Sequence, residues 1–181
     1  MIRMRRFVAK ANKVKCLHYN ARGRLSDFKA VHAGIIARRT GAMCILVQES
    51  GDDVDHKSPS IPGFDQYCKP RPDGKKAGGG LTTYIRRGKG VSHKPVSHSG
   101  EKHLRATEDG VEIPETIEHM TIEVTIHGKK MWVINVYCSA KALMTAANMV
   151  GMIPEGGENI FKVMLGDFNV HHVVWDANKG T

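Results

Sequence analysis

The stretch Phe161–Trp175, FKVMLGDFNVHHVVW, determines how we interpret the rest of this chain. Its apolar run Val163-Met164-Leu165 predicts a short buried strand. The run leads into Gly166-Asp167-Phe168-Asn169, so a carboxylate and an amide follow the strand, and the glycine predicts a turn of the backbone. A buried strand that ends in such polar side chains is typical of a functional site at the edge of a sheet.

Three earlier segments follow the same pattern. Val14–Asn20 (VKCLHYN) alternates apolar and polar residues, which predicts a strand whose last residue is an asparagine. Met43–Gln48 (MCILVQ) is continuously apolar and predicts a buried strand, which Glu49 follows. Met131–Tyr137 predicts another strand, which ends in a tyrosine. The chain therefore has four predicted strands that each deliver a polar group at the carboxyl end.

The side chains at these strand ends suit metal-assisted phosphodiester hydrolysis. Glu49 and Asp167 supply hard oxygen ligands, of which Mg²⁺ takes one or two in a site that water and phosphate complete. Asn20 and Asn169 can orient a phosphate oxygen or a water, and the Tyr137 hydroxyl can donate to a developing charge. Each residue also has a structural interpretation, in which Asn20 starts a turn, Glu49 is an exposed strand end and Tyr137 belongs to the core.

The composition fits one globular domain that binds a polyanion. The chain has 181 residues, of which 41% are hydrophobic, and a formal net charge of +9. A basic surface favours phosphate-bearing partners, because each contact releases counterions. No apolar run approaches the roughly 20 residues that cross a bilayer, so we expect no membrane partner.

The beginning of the chain is basic and free of acids. Met1–Lys15 lacks the central apolar segment of a secretory signal, so we expect an intracellular protein. We interpret residues 1–12 as a solvated basic arm and residues 13–181 as the domain; a transit peptide is the alternative interpretation of the arm.

Local signals predict the remaining elements. Ser26 is placed to cap a helix over Asp27–Arg39 that ends at Gly41. The four cysteines contain no C-x-x-C pair and are interpreted as buried free thiols. The predicted apolar face of the helix consists of Phe28, Val31, Ile35 and Ile36. Further predictions are strands over Phe64–Cys68, Leu81–Arg87 and Thr121–Ile126, a hairpin turn over His127–Lys130, a helix over Ala140–Val150, and irregular structure over Ser50–Pro62 and Lys89–Pro114.

Five segments together resemble a known family: HYNARG, ILVQES, GGGLTTYIRRG, NVYCSA and LGDFNVHHVVW. They resemble the endonuclease/exonuclease/phosphatase superfamily, which is also called DNase I-like and includes apurinic endonucleases. More narrowly, they resemble the apurinic-type endonuclease domain of non-LTR (LINE-type) retrotransposons. The resemblance runs from about residue 13 to the end of the chain and implies a four-layer α/β sandwich, in which two packed mixed sheets are flanked by helices.

The resemblance also implies a role for each strand-end residue. Glu49 would be the ligand of Mg²⁺ or Mn²⁺, with Asn20 beside it. Asp167 would position or deprotonate the attacking water, while Asn169 and Tyr137 would contact the phosphate. The resemblance implies DNA in the nucleus as the substrate, nicked to prime reverse transcription, and a reverse transcriptase domain in a full-length polyprotein as a partner.

Other residues are candidates for contact with the substrate. The resemblance places His171, His172 and Trp175 in a loop near the DNA, and Arg22 is a further candidate beside the first strand end. The structural alternative is that both histidines are exposed and that Trp175 packs on the edge of a sheet.

The sequence departs from the family pattern near its end. The family has two more motifs downstream, one contributing an aspartate and the other a serine–aspartate–histidine. This chain stops at Thr181, soon after the GDFN segment, so we expect a C-terminally truncated domain with weak or no nuclease activity. The alternatives are a phosphomonoesterase of the same superfamily, a non-catalytic nucleic-acid-binding remnant and a pseudogene product without a role.

Overall fold

In the computed structural model, the described residues are 3–9, 12–53, 56–70, 79–96, 101–108, 111–139 and 146–169. Within them the chain forms ten strands and two helices. The strands are β1 (Arg3–Ala9), β2 (Asn12–Asn20), β3 (Cys44–Gln48), β4 (Phe64–Lys69), β5 (Leu81–Arg86), β6 (Val91–Pro95), β7 (Glu101–Glu108), β8 (Val111–Ile126), β9 (Lys129–Cys138) and β10 (Phe161–Asp167). The helices are α1 (Asp27–Thr40) and α2 (Ala146–Gly151).

The strands form two mixed sheets. Sheet A has the order β1-β2-β3-β5-β4, with β2 and β3 parallel and the other pairs antiparallel. Sheet B has the order β10-β9-β8-β6, with β10 and β9 parallel, and β7 pairs with the first half of β8. Each sheet therefore brings the carboxyl ends of one parallel pair to the same edge.

Buried apolar clusters define the layers. One cluster lies between the two sheets, a second between sheet A and α1, and a third on the outer face of sheet B. The order of layers, from α1 through sheets A and B to the segment around α2, confirms the predicted α/β sandwich. Central members are Leu46, Leu81, Ile122, Val133 and Leu165 between the sheets, Leu17, Ile45 and Tyr84 beneath α1, and Ile117, Val136 and Met152 on the outer face of sheet B.

Helix α1 forms where it was predicted, but it packs by the opposite face. Ser26 caps its start and Gly41, at φ 69°, ends it, as the sequence indicated. The predicted apolar face is wrong, because Phe28, Val31 and Ile35 are directed to solvent and only Ile36 is partly buried. The buried face instead carries small residues, namely Ala30, Ala33, Gly34 and Ala37.

A close approach of α1 to the loop before β4 explains this orientation. A Cβ atom added at Gly34 would lie 2.8 Å from the Cγ2 atom of Ile61. Only small side chains fit at that separation, so the alanine and glycine residues face the sheet. Their spacing of i, i+3, i+4 and i+7 is itself a helical stripe.

Three further predictions need correction. Part of the expected solvated arm is strand β1, which pairs with β2 along its whole length; a basic strand is tolerated there because it lies at the edge of the sheet. The expected irregular region over Lys89–Pro114 contains β6, β7 and the start of β8. Gly166 lies inside β10, not in a turn, and a Cβ atom there would overlap the backbone of Val136.

Most other local predictions are confirmed. Strands β3, β4, β5, β9 and β10 match their predicted segments, and the turn between β8 and β9 uses positive φ at His127 and Gly128. Helix α2 matches the end of the predicted helix, of which residues 140–145 lie outside the described part. All four cysteines are free, and only Cys68 is not fully buried.

A polar cluster joins an edge strand of each sheet. The Asp65 carboxylate on β4 contacts Arg87 Nε at 2.6 Å and His93 Nε2 at 3.0 Å. On its other side, His93 Nδ1 lies 2.7 Å from the hydroxyl of Tyr67. The hydrogen bond from Arg87 is the largest effect on the pKa of Asp65 and, with the charge of Arg87 and the contact from His93, lowers it against the opposing effect of burial.

Candidate active site

Three strand ends meet at one edge of the sandwich. Asn20 ends β2, Glu49 directly follows β3, and Asp167 ends β10. The Asn20 Nδ2 atom donates to Glu49 Oε1 at 2.7 Å and to Asp167 Oδ2 at 2.5 Å. One amide nitrogen therefore bridges two carboxylates, although Asn20 and Asp167 are 147 positions apart in the sequence.

The strand pairing explains why these residues meet. In sheet A, the parallel register places Asn20 beside Gln48, so that Glu49 emerges at the same edge. In sheet B, the parallel register places Asp167 beside Tyr137. Because the sheets pack face to face, the two edges come together, and Asn20 closes the gap between them.

The backbone is unusual where the chain leaves these strands. Glu49 has a φ of 50°, Asn169 a φ of 43° and Arg22 a φ of 52°. Only one other non-glycine residue in the described chain, His127 in a hairpin turn, has a positive φ. Such conformations cost about 1–3 kcal/mol each and concentrate at functional sites, where the surrounding structure enforces them.

The remaining predicted residues lie around this centre. The backbone N–H of Arg22 donates to Asn20 Oδ1 at 2.7 Å, which turns the Asn20 amide nitrogen toward the carboxylates; the Arg22 side chain is exposed. Asn169 donates from its backbone N–H to Asp167 Oδ1 at 3.2 Å and from Nδ2 to Cys138 O at 2.7 Å. Tyr137 is partly buried and packs against the core between the sheets.

The structure does not place every predicted contact residue. His171, His172 and Trp175 lie outside the described residues. Their suggested position near the substrate therefore stays a prediction.

A buried amide pair fixes the sheets to each other beneath the site. Gln48 Nε2 donates to Asn135 Oδ1 at 2.7 Å, and both side chains are fully buried. Asn135 Nδ2 lies 3.1 Å from Val47 O, 3.2 Å from Thr82 O and 3.2 Å from Thr83 Oγ1. Since Gln48 precedes Glu49, this bridge from β9 to β3 and β5 sets where the carboxylate emerges relative to sheet B. The sequence analysis did not identify Asn135.

Two buried carboxylates close to the site were also missed. Asp52 accepts hydrogen bonds from Ser50 Oγ at 2.5 Å and Ser58 Oγ at 2.9 Å, which holds the loop after Glu49. Glu118 lies opposite Tyr137 on β8 and accepts from Gly80 N at 2.8 Å. The sequence did not indicate either carboxylate as a buried residue near the site, because Asp52 lies in a predicted polar loop and the predicted strand begins only after Glu118.

The chemistry of the central residues suits a divalent cation. Within the described part of the chain, neither Glu49 nor Asp167 forms an ion pair with a lysine, arginine or histidine. The same part contains no group of three or more His, Cys, Asp or Glu side chains that could hold a metal. A cation here would thus depend on one or two carboxylates with water and phosphate, which is the coordination Mg²⁺ commonly uses.

A cavity of about 380 Å³ is lined by the loop that follows Glu49 and by the start of α1; Asn20, Glu49 and Asp167 are not among its lining residues. Two of its lining residues are joined by a hydrogen bond, which Leu25 N donates to Ser50 O at 2.8 Å. Arg24, His56 and Lys57 are exposed members of its lining, together with one exposed acidic residue, Asp27.

Comparison with solved structures places the fold. This chain has the fold of DNase I-like endonuclease/exonuclease/phosphatase proteins. A protein of that family from Bacteroides thetaiotaomicron is similar at 17% identity and a TM-score of 0.56, with 92% of this chain and 68% of that one covered. A mannosyl-6-phosphatase from Bacteroides thetaiotaomicron VPI-5482 is similar at 16% identity and a TM-score of 0.56, with 88% and 67% covered.

The likeness concerns the fold and part of a longer architecture. A functionally unknown conserved protein from Enterococcus faecalis V583 has 14% identity and a TM-score of 0.54, with 86% and 66% covered. This chain thus spans about two thirds of the length of each of these structures. No protein-family model matches the sequence, and no curated protein does so. The finer resemblance to retrotransposon endonucleases stays a prediction.

The helices give no sign of a membrane-spanning segment. Neither α1 nor α2, the helices within the described residues, is long and apolar enough to cross a bilayer.

Proposed function

We propose that this protein is a divalent-metal-dependent phosphodiesterase that nicks DNA, of the type found in non-LTR retrotransposons. The observation that carries the proposal is the Asn20 amide that bridges the Glu49 and Asp167 carboxylates. In this role the protein acts on chromosomal DNA in the nucleus and supplies a nick to a reverse transcriptase.

The residues divide the chemistry between them. Glu49 would hold Mg²⁺ or Mn²⁺, whose charge would stabilise the negative charge that develops on the phosphate oxygens. Asp167 positions a water and accepts its proton as the water attacks phosphorus. Asn20 keeps both carboxylates at a fixed separation, so the proton acceptor and the cation ligand stay aligned.

Two other side chains are assigned to the phosphate. Asn169 is anchored to β9 through Cys138 O, next to the carboxylate that positions the water. The Tyr137 hydroxyl donates to a phosphate oxygen as charge develops there. Release of the leaving oxygen then requires a proton donor, for which we assign no residue.

Charge favours DNA over a small phosphate ester. The formal net charge is +9, and Arg24 and Lys57, with one acidic residue, Asp27, line the cavity along the loop that follows Glu49. A net positive charge suits a chain of phosphates, which gains affinity from each neutralised charge. The second candidate is phosphomonoester hydrolysis, which is favoured by the similarity in fold to a mannosyl-6-phosphatase.

The experiment is a nicking assay on supercoiled plasmid with the purified chain. It is run at high protein concentration in Mg²⁺ or in EDTA, so that even a slow reaction is measured. We expect slow nicking in Mg²⁺, none in EDTA, and no detectable nicking by Glu49→Gln or Asp167→Asn. The control is Glu158→Gln, which makes the same change in an exposed loop and retains full activity.

Each alternative gives a different result. Release of phosphate from mannose 6-phosphate or a phosphoinositide, without DNA cleavage, would establish the phosphomonoesterase. Salt-sensitive DNA binding without cleavage, unchanged in Asp167→Asn, would establish a non-catalytic binding protein.

A further inference from the structure

Glu118 on β8 is a fully buried carboxyl group near the active-site edge. Every second residue from Met120 to Val124 belongs to the core between the sheets, and Glu118 is in phase with them. In the β8–β9 register it lies directly opposite Tyr137, on the same face of sheet B. Burial of a carboxyl group is unfavourable unless hydrogen bonds compensate for it, so the groups that Glu118 contacts determine where this one lies.

The carboxyl group reaches across to sheet A. Glu118 Oε2 accepts a hydrogen bond from the backbone N–H of Gly80 at 2.8 Å. Gly79 and Gly80, the glycine segment, directly precede β5 and have positive φ values of 77° and 78°. A Cβ atom at Gly80 would lie 3.2 Å from Ser50 Oγ, so a larger residue would crowd the loop after Glu49. Glu118 therefore holds a segment whose conformation glycine adopts most readily.

The glycine segment supports the backbone that follows Glu49. Ser50 N donates to Gly80 O at 3.1 Å, and Gly51 N donates to the next carbonyl of the segment at the same distance. Glu49 itself has a φ of 50°, a conformation that costs free energy and that the surrounding structure must enforce. Strand β3 holds the backbone before Glu49, and the glycine segment holds the backbone after it.

We infer that Glu118 is a positioning residue, which sets the direction of the Glu49 carboxylate by holding the glycine segment. The inference rests on the proposed function, because it concerns Glu49 as the ligand of a cation. Without an acceptor for Gly80 N, the backbone after Glu49 relaxes toward an ordinary φ, and its carboxylate turns away from Asp167. The contact acts through the backbone, so it needs a hydrogen-bond acceptor at this position and not a charge.

The test measures Mn²⁺ binding to the full chain by electron paramagnetic resonance, and hydrogen exchange of the Ser50 and Gly51 amides by NMR. Glu118→Leu offers no acceptor to Gly80, so it should weaken Mn²⁺ binding about tenfold or more and speed exchange at both amides. Glu118→Gln retains an acceptor and should bind Mn²⁺ like the unaltered chain. Glu118→Asp keeps the charge but withdraws the carboxyl group by one methylene, so it should weaken binding as Glu118→Leu does.

The matched control is Arg86→Leu, at the opposite end of β5 from the glycine segment. It removes hydrogen bonds to Ala42 O at 2.8 Å and to Ala37 O at 2.6 Å. This variant should unfold at lower urea concentration, yet it should change neither Mn²⁺ binding nor exchange at Ser50.

The outcomes separate this inference from the proposed function. Mn²⁺ binding that Glu49→Gln weakens, but that Glu118→Leu and Glu118→Asp leave unchanged, would overturn the inference alone. An equal loss in Arg86→Leu would also overturn it, because general destabilisation would then explain the effect. Binding that Glu49→Gln leaves unchanged would overturn the proposed function as well. Should Glu118→Leu fail to fold, the comparison of Glu118→Asp with Glu118→Gln decides.

Discussion

The buried amide of Asn135 offers a test of how the two sheets are held in register beneath the site. Asn135→Leu keeps a side chain of similar size but removes the amide that joins β9 to β3 and β5. About three hydrogen bonds are lost: one accepted from Gln48, and two from the Nδ2 hydrogens, which Val47 O, Thr82 O and Thr83 Oγ1 share. At about 1 kcal/mol each, the loss is about 3 kcal/mol; the added apolar contact offsets part of it, and the Gln48 amide, left buried without Asn135, adds to it.

We therefore expect Asn135→Leu to lower the free energy of unfolding by about 3 kcal/mol. That is a large share of the roughly 5–15 kcal/mol typical of a domain. Urea unfolding followed by circular dichroism measures the change, with Asn159→Leu in an exposed loop as the control. The control substitution should change stability by less than about 0.5 kcal/mol.

A double-mutant cycle shows whether the amides act as a pair. Gln48→Leu combined with Asn135→Leu leaves neither amide in the core. The decrease in the free energy of unfolding should therefore be about 1–2 kcal/mol smaller in the double variant than the sum of the two single decreases. Additive costs, or a cost below about 0.5 kcal/mol for Asn135→Leu alone, would refute the reasoning.

Three other features yield predictions. Asp65→Asn should destabilise the fold by less than about 1 kcal/mol at pH 7, since the pair is exposed. Because folding lowers the pKa of Asp65, the difference should persist above the unfolded pKa near 4 and vanish as the pH falls through the folded value, as pH-dependent urea melts would show. Iodoacetamide should modify Cys68 before the three buried cysteines, and faster above pH 9, because burial raises the Cys68 pKa; mass spectrometry identifies the site. Gly157→Ala should lower the free energy of unfolding, measured by thermal denaturation, by about 1–3 kcal/mol, because the added Cβ would lie 2.8 Å from Trp132. Gly156→Ala has the same backbone strain but open space for its Cβ, so it should lower the free energy of unfolding by less.

The strand ends could be predicted from sequence because their signals are local. An apolar run followed by Glu49 or Asp167 indicates a strand with a polar tip, whichever sheet it joins. The prediction that these strand ends meet depended on the family resemblance, because the strand pairing that brings them together joins distant parts of the chain. The hydrogen bonds of Asn20 now supply the physical account.

Elsewhere the signals conflicted. In α1, the buried face was predicted from the large apolar side chains of Phe28 and Val31, although the alanines form an equally regular stripe. Hydrophobicity alone could not show how closely the helix approaches the loop before β4. Asn135 lies within an apolar run, and the sequence does not indicate which residue its amide bonds across the core. In strand β8 the apolar residues stand at odd positions up to Ile117 and at even positions from Met120 onward, so the alternation changes phase around Glu118.

The most direct test of the central claim is Mn²⁺ binding to the purified chain, measured by electron paramagnetic resonance. This measurement does not depend on turnover. If the carboxylates that Asn20 bridges form a cation site, Glu49→Gln and Asp167→Asn should each weaken binding at least tenfold, while Glu158→Gln should leave it unchanged. Binding of equal strength in the unaltered chain and in both site variants would contradict the account.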